Sequence, residues 1–305
     1  MTEELKEKLK SPIITTPLLV IFVLAVMQAS KYSLSTLNSD TNIFVAVGVI
    51  QLATLALPCM VYYLLKGRQL KEPIYLVPRG GTHILFIIFA ALFFICGMLM
   101  IKFFYFVNGG TVASLVNFYK DFSGTTEGSG QVEIILSLIV IPAFCEEFFF
   151  RGIIFAEYRR YGTANAVIMS AICFSMLHFS LENMFIYLFT GLLLGFVTAI
   201  TRSIIPSIAL HLLSNTLSIY ASDAFLRVTV VKNGAFFIGF VLTVLTCVAF
   251  ILMLSRVESI CYSYSDKPPV EAIPPKSSAN FIKVFFSPTF IILILAFVAV
   301  SLFFK

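Results

Sequence analysis

A chain of 305 residues that is 59% hydrophobic and only 12% charged, with mean hydropathy +0.97, cannot keep a water-exposed surface wet. A soluble domain needs about a quarter of its residues charged, and a fold this poor in charge would expose apolar patches that aggregate. A net charge of +5 is too modest to argue for nucleic acid, and no polar linker divides the chain, so residues 1–305 read as a single integral membrane domain.

Runs of about 20 largely apolar residues mark membrane spans. In chain order they fall at 12–30, 43–65, 82–104, 132–156, 163–181, 184–201, 204–222, 234–255 and 286–304. The expectation is an all-α transmembrane bundle of about eight or nine spans. The runs are continuous, which suits helices that satisfy their own backbone and excludes the alternation of a membrane β-barrel. The opening, MTEELKEKLKSP, mixes acidic and basic residues and lacks the apolar core and small-residue cleavage site of a removable signal.

With the N-terminus in the cytoplasm, the inner segments collect Lys6, Lys8, Lys10, Lys66, Arg68, Lys71, Arg79, Arg159, Arg160, Arg202, Arg256, Lys267, Lys276 and Lys283. The outer segments receive only Lys31, Lys102, Lys120, Arg227, Lys232 and Lys305, a bias that follows the positive-inside rule. Tyr158, Tyr161 and Tyr220 are expected at the membrane interfaces, since there is no Trp. Residues 105–131 end in DFSGTTEGSG and read as a flexible external loop. Residues 256–285 contain SDKPPVEAIPPK, a Pro-rich cytoplasmic connection leading to a peripheral last helix. The two glycines of GLLLG, Gly191 and Gly195, are one turn apart and suit a close helix contact. Six cysteines show no metal-ligand spacing, and five of them lie in apolar stretches where Cys behaves as a small hydrophobe.

Ionisable residues inside spans are costly and mark function by default. The fourth run contains IPAFCEEFFFRG. Glu147 and Arg151 are four apart and share a helical face, so they can pair, while Glu146 points about 100° away and is left for work or for another helix. Pro142, four residues earlier, should free a backbone carbonyl and bend the helix. Phe174 and His178 stack along one face of the fifth run, and His211 and Asn215 along one face of the seventh. The plain alternatives are a Glu–Arg pair that fixes helix register and histidines that merely hydrogen-bond in the packing. Together, though, these groups are most cheaply satisfied in one watered cavity. The third histidine, His83, falls at a helix start and is expected to be solvated.

Glutamate and histidine can hold a water and remove its proton. A second histidine and an amide can receive charge developing on a carbonyl oxygen. No Ser–His–Asp or Cys–His unit presents itself, so the chemistry reads as direct attack by water on an amide.

The segments EEFFFR (Glu146, Glu147, Arg151), FSMLH (Phe174, His178) and HLLSN (His211, Asn215) resemble the three signatures of the CPBP intramembrane endopeptidases. That family includes the type II CAAX prenyl proteases and the bacterial Abi or bacteriocin-immunity proteases. The resemblance implies a catalytic core over about 130–225. It implies that Glu146 is the catalytic glutamate and His178 the histidine that helps it activate water. By the same likeness His211 and Asn215 stabilise the oxyanion, Glu147 and Arg151 are a supporting pair, and Phe174 is the second motif's aromatic. The family has been described both as metalloproteases and as metal-free. Glu146, His178 and His211 could supply three ligands to Zn²⁺ with a fourth position open, but they form no H-E-x-x-H pattern, and metal-free water activation is preferred. The implied partners are the lipid bilayer and a peptide or membrane-protein substrate of lipidated, bacteriocin or pheromone type. The implied location is a bacterial plasma membrane. A non-catalytic immunity or scaffold protein, or a proton-coupled transporter, would use the same polar residues differently. The first predicts damaged motifs, and the second predicts inverted repeats that the chain does not display.

Overall fold

A computed structural model describes residues 11–35, 43–66, 83–107, 130–220, 234–263 and 277–303. Among these the secondary structure is helical. We number the helices α1 (Pro12–Ser35), α2 (43–66), α3 (Ile84–Val107), α4 (131–161), α5 (Thr163–Met176), α6 (Met184–Thr201), α7 (Ile205–Tyr220), α8 (Ala235–Ser263), α9 (Ser277–Phe285) and α10 (Pro288–Phe303).

Five helices are long and apolar enough to cross a membrane: Pro12–Ser30, Ile43–Leu64, Ile84–Tyr105, Met184–Thr201 and Phe236–Tyr262. A sixth is reached if Ala279–Phe285 and Pro288–Phe303, bent by 54°, are one broken span. The expectation of eight or nine spans is therefore corrected, and each overcount has a physical reason. The run at 132–156 is helical, but Glu146, Glu147 and Arg151 within one short stretch take it out of the apolar class. The run at 163–181 contains a helix of only 14 residues, about 21 Å long at 1.5 Å per residue, short of a 30 Å hydrocarbon core. That at 204–222 contains one of 16 residues. The last, 286–304, is the second arm of the bent pair.

Other expectations also shift. His83 is buried at 2% exposure rather than solvated. Tyr158 is fully buried in the core, so only Tyr220 among the exterior candidates is substantially exposed. Lys102, assigned to the outer side, lies on α3 and lines a cavity. Helix α8 continues through Ser263 and α9 begins at Ser277, so the Pro-rich connection narrows to 264–276, outside the described residues, as does 108–129 of the expected external loop. The last helix packs inward: Phe290, Leu293 and Phe297 of α10 share a cluster with Val20, Val23 and Leu24 of α1 and with Phe149, Phe150 and Phe174.

A second cluster joins α3, α6, α7 and α8 through Phe86, Phe94, Leu193, Leu194, Leu210 and Met253. A third joins α2, α4 and α7 through Phe44, Ile134, Leu138 and Ile219. In a bilayer such contacts gain from close packing more than from escape from water, which favours small residues where backbones meet. Gly191 is such a place. A Cβ there would lie 2.8 Å from Cα of Ala171, so α6 can approach α5 only with glycine at this position. Gly191→Val should consequently lower the thermal unfolding temperature of the purified protein in detergent, by an overpacking cost of about 1–3 kcal/mol. An unchanged unfolding temperature would count against the tight α5–α6 contact.

Helix α4 departs from regular winding in two π-helical stretches and in a closing 3₁₀ turn, Arg159–Tyr161. A π-helical turn, Leu136–Val140, precedes Pro142, with the Ile141 N–H reaching back five residues to the Leu136 carbonyl. Proline has no N–H to give, and the chain accommodates it by widening the turn before it. A second π-helical stretch, Phe148–Ile154, carries Arg151, and such widened turns are frequent at functional sites.

Candidate active site

The two carboxylates of α4 take different surroundings, as their 100° separation requires. Arg151 Nη1 donates to Glu147 Oε1 at 2.7 Å, and its Nη2 donates to the Gly191 carbonyl at 3.0 Å. The guanidinium also lies over the Phe174 ring, 4.9 Å from its centre. Both side chains of the Arg151–Glu147 pair are fully buried. The pairing anticipated from the four-residue spacing is thus present, with Glu147 rather than Glu146 as the partner of Arg151.

His211 of α7 links the two acids. Its Nδ1 is 2.9 Å from Glu147 Oε1, and its Nε2 is 3.8 Å from Glu146 Oε2. An ionised carboxylate only accepts, so Nδ1 carries the proton in the first contact. The second contact is too long for a direct hydrogen bond. Glu146 Oε2 is buried and has no hydrogen-bond partner among the described residues. Phe174 packs edge-on against the His211 ring, centroids 5.7 Å apart.

His178 sits two residues past the end of α5, in the turn where Phe179 takes a left-handed φ of 48°. The expected boundaries bury it 15 residues deep in a full span. The helix instead stops at Met176, and the short α5 delivers His178 to the cavity. His178 Nδ1 lies 3.1 Å from the Phe174 carbonyl, which can only accept, so Nδ1 is the protonated nitrogen and Nε2 keeps its lone pair. The ring stacks on Tyr187 of α6 at 3.7 Å with an interplanar angle of 16°.

Glu146, Phe174, His178, His211 and Asn215 all line one cavity of about 220 Å³. Asn215 contributes a single long contact, Nδ2 to the Ile139 carbonyl at 3.4 Å, which leaves the amide loosely held. Glu147 and Arg151 stand behind this wall. Sequence reasoning missed several lining residues: Gln51, Asn183, Tyr187 and Thr190, with Lys102 noted only for its charge. The spacing that could have found Tyr187 is its four-residue step from Asn183, which puts both on one face of α6.

Among the described residues no three His, Cys, Asp or Glu side chains come together as a metal-binding group. The zinc set Glu146, His178 and His211 is not assembled here. His211 Nδ1 and His178 Nδ1 are turned to Glu147 and to the Phe174 carbonyl.

Long apolar helices enclosing a buried Glu–Arg–His cluster define a multi-pass membrane protein with a polar interior site. Residues 128–217 match the family model of the type II CAAX prenyl endopeptidase Rce1-like proteins. The matched segment runs from just before α4 to near the end of α7 and contains every residue named in the cluster. Comparisons with curated proteins and with solved structures returned no match.

Proposed function

We propose that this protein is a membrane-embedded endopeptidase in which Glu146 activates a water for attack on a peptide bond. The observation that carries the reading is the gap between Glu146 Oε2 and His211 Nε2. These are two polar atoms 3.8 Å apart, one of them buried without a hydrogen-bond partner, on residues that line one cavity inside the segment that matches an endopeptidase family model.

In this mechanism a water sits against Glu146, with its second hydrogen directed to the free Nε2 of His178. Glu146 takes the proton as the water oxygen bonds to the carbonyl carbon. Glu147, balanced by Arg151, holds the His211 ring through Nδ1. Asn215 Nδ2 donates to the carbonyl oxygen as charge develops there, with the Nε2 edge of His211 beside it. Collapse of the tetrahedral intermediate breaks the C–N bond, and Glu146 returns its proton to the leaving nitrogen. No covalent enzyme intermediate forms. The substrate is a peptide or membrane-protein segment that enters from the bilayer, of lipidated, bacteriocin or pheromone type, and the setting is a bacterial plasma membrane.

The test is cleavage of a peptide library by wild type and Glu146→Gln in lipid nanodiscs. Unimpaired cleavage by the variant would remove the proposal and return the cluster to polar packing or ion relay. Asn215→Ala supplies a second, separable result. Loss of one oxyanion donor should lower kcat by about 10²-fold while KM stays near the wild-type value. A change confined to KM would move Asn215 from the reacting oxygen to substrate binding.

A further inference from the structure

The groups used in the mechanism are not held equally well. Glu146 lies within α4, and His211 and Asn215 lie within α7, where the helix fixes each backbone. His178 alone among them is carried by a turn. Helix α5 ends at Met176, α6 begins at Met184, and the backbone between them is irregular. The N–H groups of His178 and Phe179 bond back three residues, to the Ser175 and Met176 carbonyls, at 3.4 and 3.2 Å. The His178 side chain has one hydrogen bond, from Nδ1 to the Phe174 carbonyl at 3.1 Å. An imidazole tied by one N–H can still swing about that bond, because its outer torsion is broad and has no sharp well to stop it. A swing of this kind carries Nε2 away from the water it is meant to hold.

Two rings restrain it. Phe174 is tilted against His178 at 54°, with centroids 5.1 Å apart, and Tyr187 lies flat on it at 3.7 Å and 16°. The flat contact fixes the plane, since a ring already at van der Waals distance from another face has no room to rotate towards it. The Tyr187 hydroxyl makes no hydrogen bond among the described residues, so the holding is done by the ring.

The register of α5 against α6 accounts for this contact. A Cβ on Gly195 would meet Val167, and one on Gly191 would meet Ala171. The two helices therefore run antiparallel, and four residues back along α6 match four residues forward along α5. One further step leads from Gly191 to Tyr187 on α6 and from Ala171 to Ser175 on α5, at the turn that carries His178. The close glycine contact thus delivers the tyrosine to the histidine.

We infer that Tyr187 is a positioning residue whose ring holds His178 in the plane that keeps Nε2 toward the reacting water. The effect on turnover rests on the endopeptidase reading, but the placement of the ring can be measured without catalysis.

The experiment uses the full chain in phosphatidylcholine nanodiscs as wild type, Tyr187→Phe, Tyr187→Leu and Glu146→Gln. One readout is kcat and KM for a library peptide that wild type cleaves. The other is the ring-proton NMR spectrum of protein labelled at its three histidines, with the His178 signal identified by its loss in His178→Gln. Protons over an aromatic face are shielded, so the His178 signal should lie upfield in wild type and in Tyr187→Phe. In Tyr187→Leu it should return to the ordinary imidazole region. There kcat should fall about 10- to 100-fold, the scale of a misplacement of about 1 Å, with KM near the wild-type value. Tyr187→Phe should recover most of that loss. If Tyr187→Leu lowers the unfolding temperature, Tyr187→Met gives the same comparison with a longer side chain that also lacks a flat face.

A Tyr187→Phe protein as slow as Tyr187→Leu would make the hydroxyl the active part and overturn the inference. So would an effect confined to KM, which would place Tyr187 against the substrate, or a His178 signal that does not move in Tyr187→Leu. A signal that moves while kcat stays at the wild-type value would overturn it as well. Cleavage that persists in Glu146→Gln would refute the endopeptidase reading instead, and the NMR comparison would still uphold or overturn the holding of His178.

Discussion

Glu146→Gln should reduce peptide cleavage by about 10² to 10⁴-fold, the usual worth of a positioned general base, equivalent to about 3–5 kcal/mol of barrier. The substitution isolates proton transfer because little else changes. Glu146 Oε2 has no hydrogen-bond partner to lose and Arg151 is committed to Glu147, so the ionic contact the amide weakens is the long 3.8 Å approach of His211 Nε2. Gln keeps the shape of the side chain and can still hold the water, but it cannot take the water's proton at neutral pH. Folding and peptide binding should therefore be preserved while turnover falls. A fall in turnover accompanied by a lower unfolding temperature would show instead that Glu146 supports the packing. Turnover within a few-fold of wild type would leave Glu146 with no part in the chemistry.

The site was more legible than the helices that hold it. Polar residues are rare inside apolar runs, so Glu146, Glu147, Arg151, His178, His211 and Asn215 stood out, and the spacing of four correctly paired Arg151 with Glu147. The span count failed because hydropathy does not report where a helix stops. Leu177 and Phe179 extend the apolar run past Met176, but the left-handed turn at Phe179 ends α5 there. Met184–Thr201 was read correctly because the polar Asn183 and Arg202 bracket an uninterrupted apolar run. That Lys102 lines a cavity was not legible for a different reason: a lysine five residues from the end of a helix reads as a topology signal, with no sequence mark of what it faces. Tyr187 and Asn183 were missed because α6 is apolar on most sides, and their four-residue step with Thr190 beyond was the one polar periodicity that marked the cavity face.

Arg151→Ala should be the most destabilising single change in the cluster. It strands Glu147, fully buried and with Oε2 already unpartnered, beside His211 as its remaining partner. Breaking a buried pair by removing one member costs about 3–5 kcal/mol in soluble proteins. The figure should fall toward the lower end here, since a helix unfolded within a bilayer also finds partners for its polar groups. The loss exceeds one ion pair, because the same guanidinium bonds the Gly191 carbonyl and lies over Phe174, tying α4 to α6 and to the end of α5. Arg151→Lys should recover only part of the stability, since one ammonium cannot reproduce the planar fork that serves both acceptors. The double variant Glu147→Ala, Arg151→Ala should be more stable than Arg151→Ala alone, because it removes the stranded acid. Thermal unfolding of the four proteins in one detergent gives the cycle directly. Additive effects would mean that Arg151 and Glu147 act independently and that the pair does not hold His211 in place. If the effects are coupled, Arg151→Ala should also lower kcat in whatever fraction remains folded, because Glu147, no longer anchored by the guanidinium, would hold His211 less firmly with its Nε2 toward the reacting oxygen.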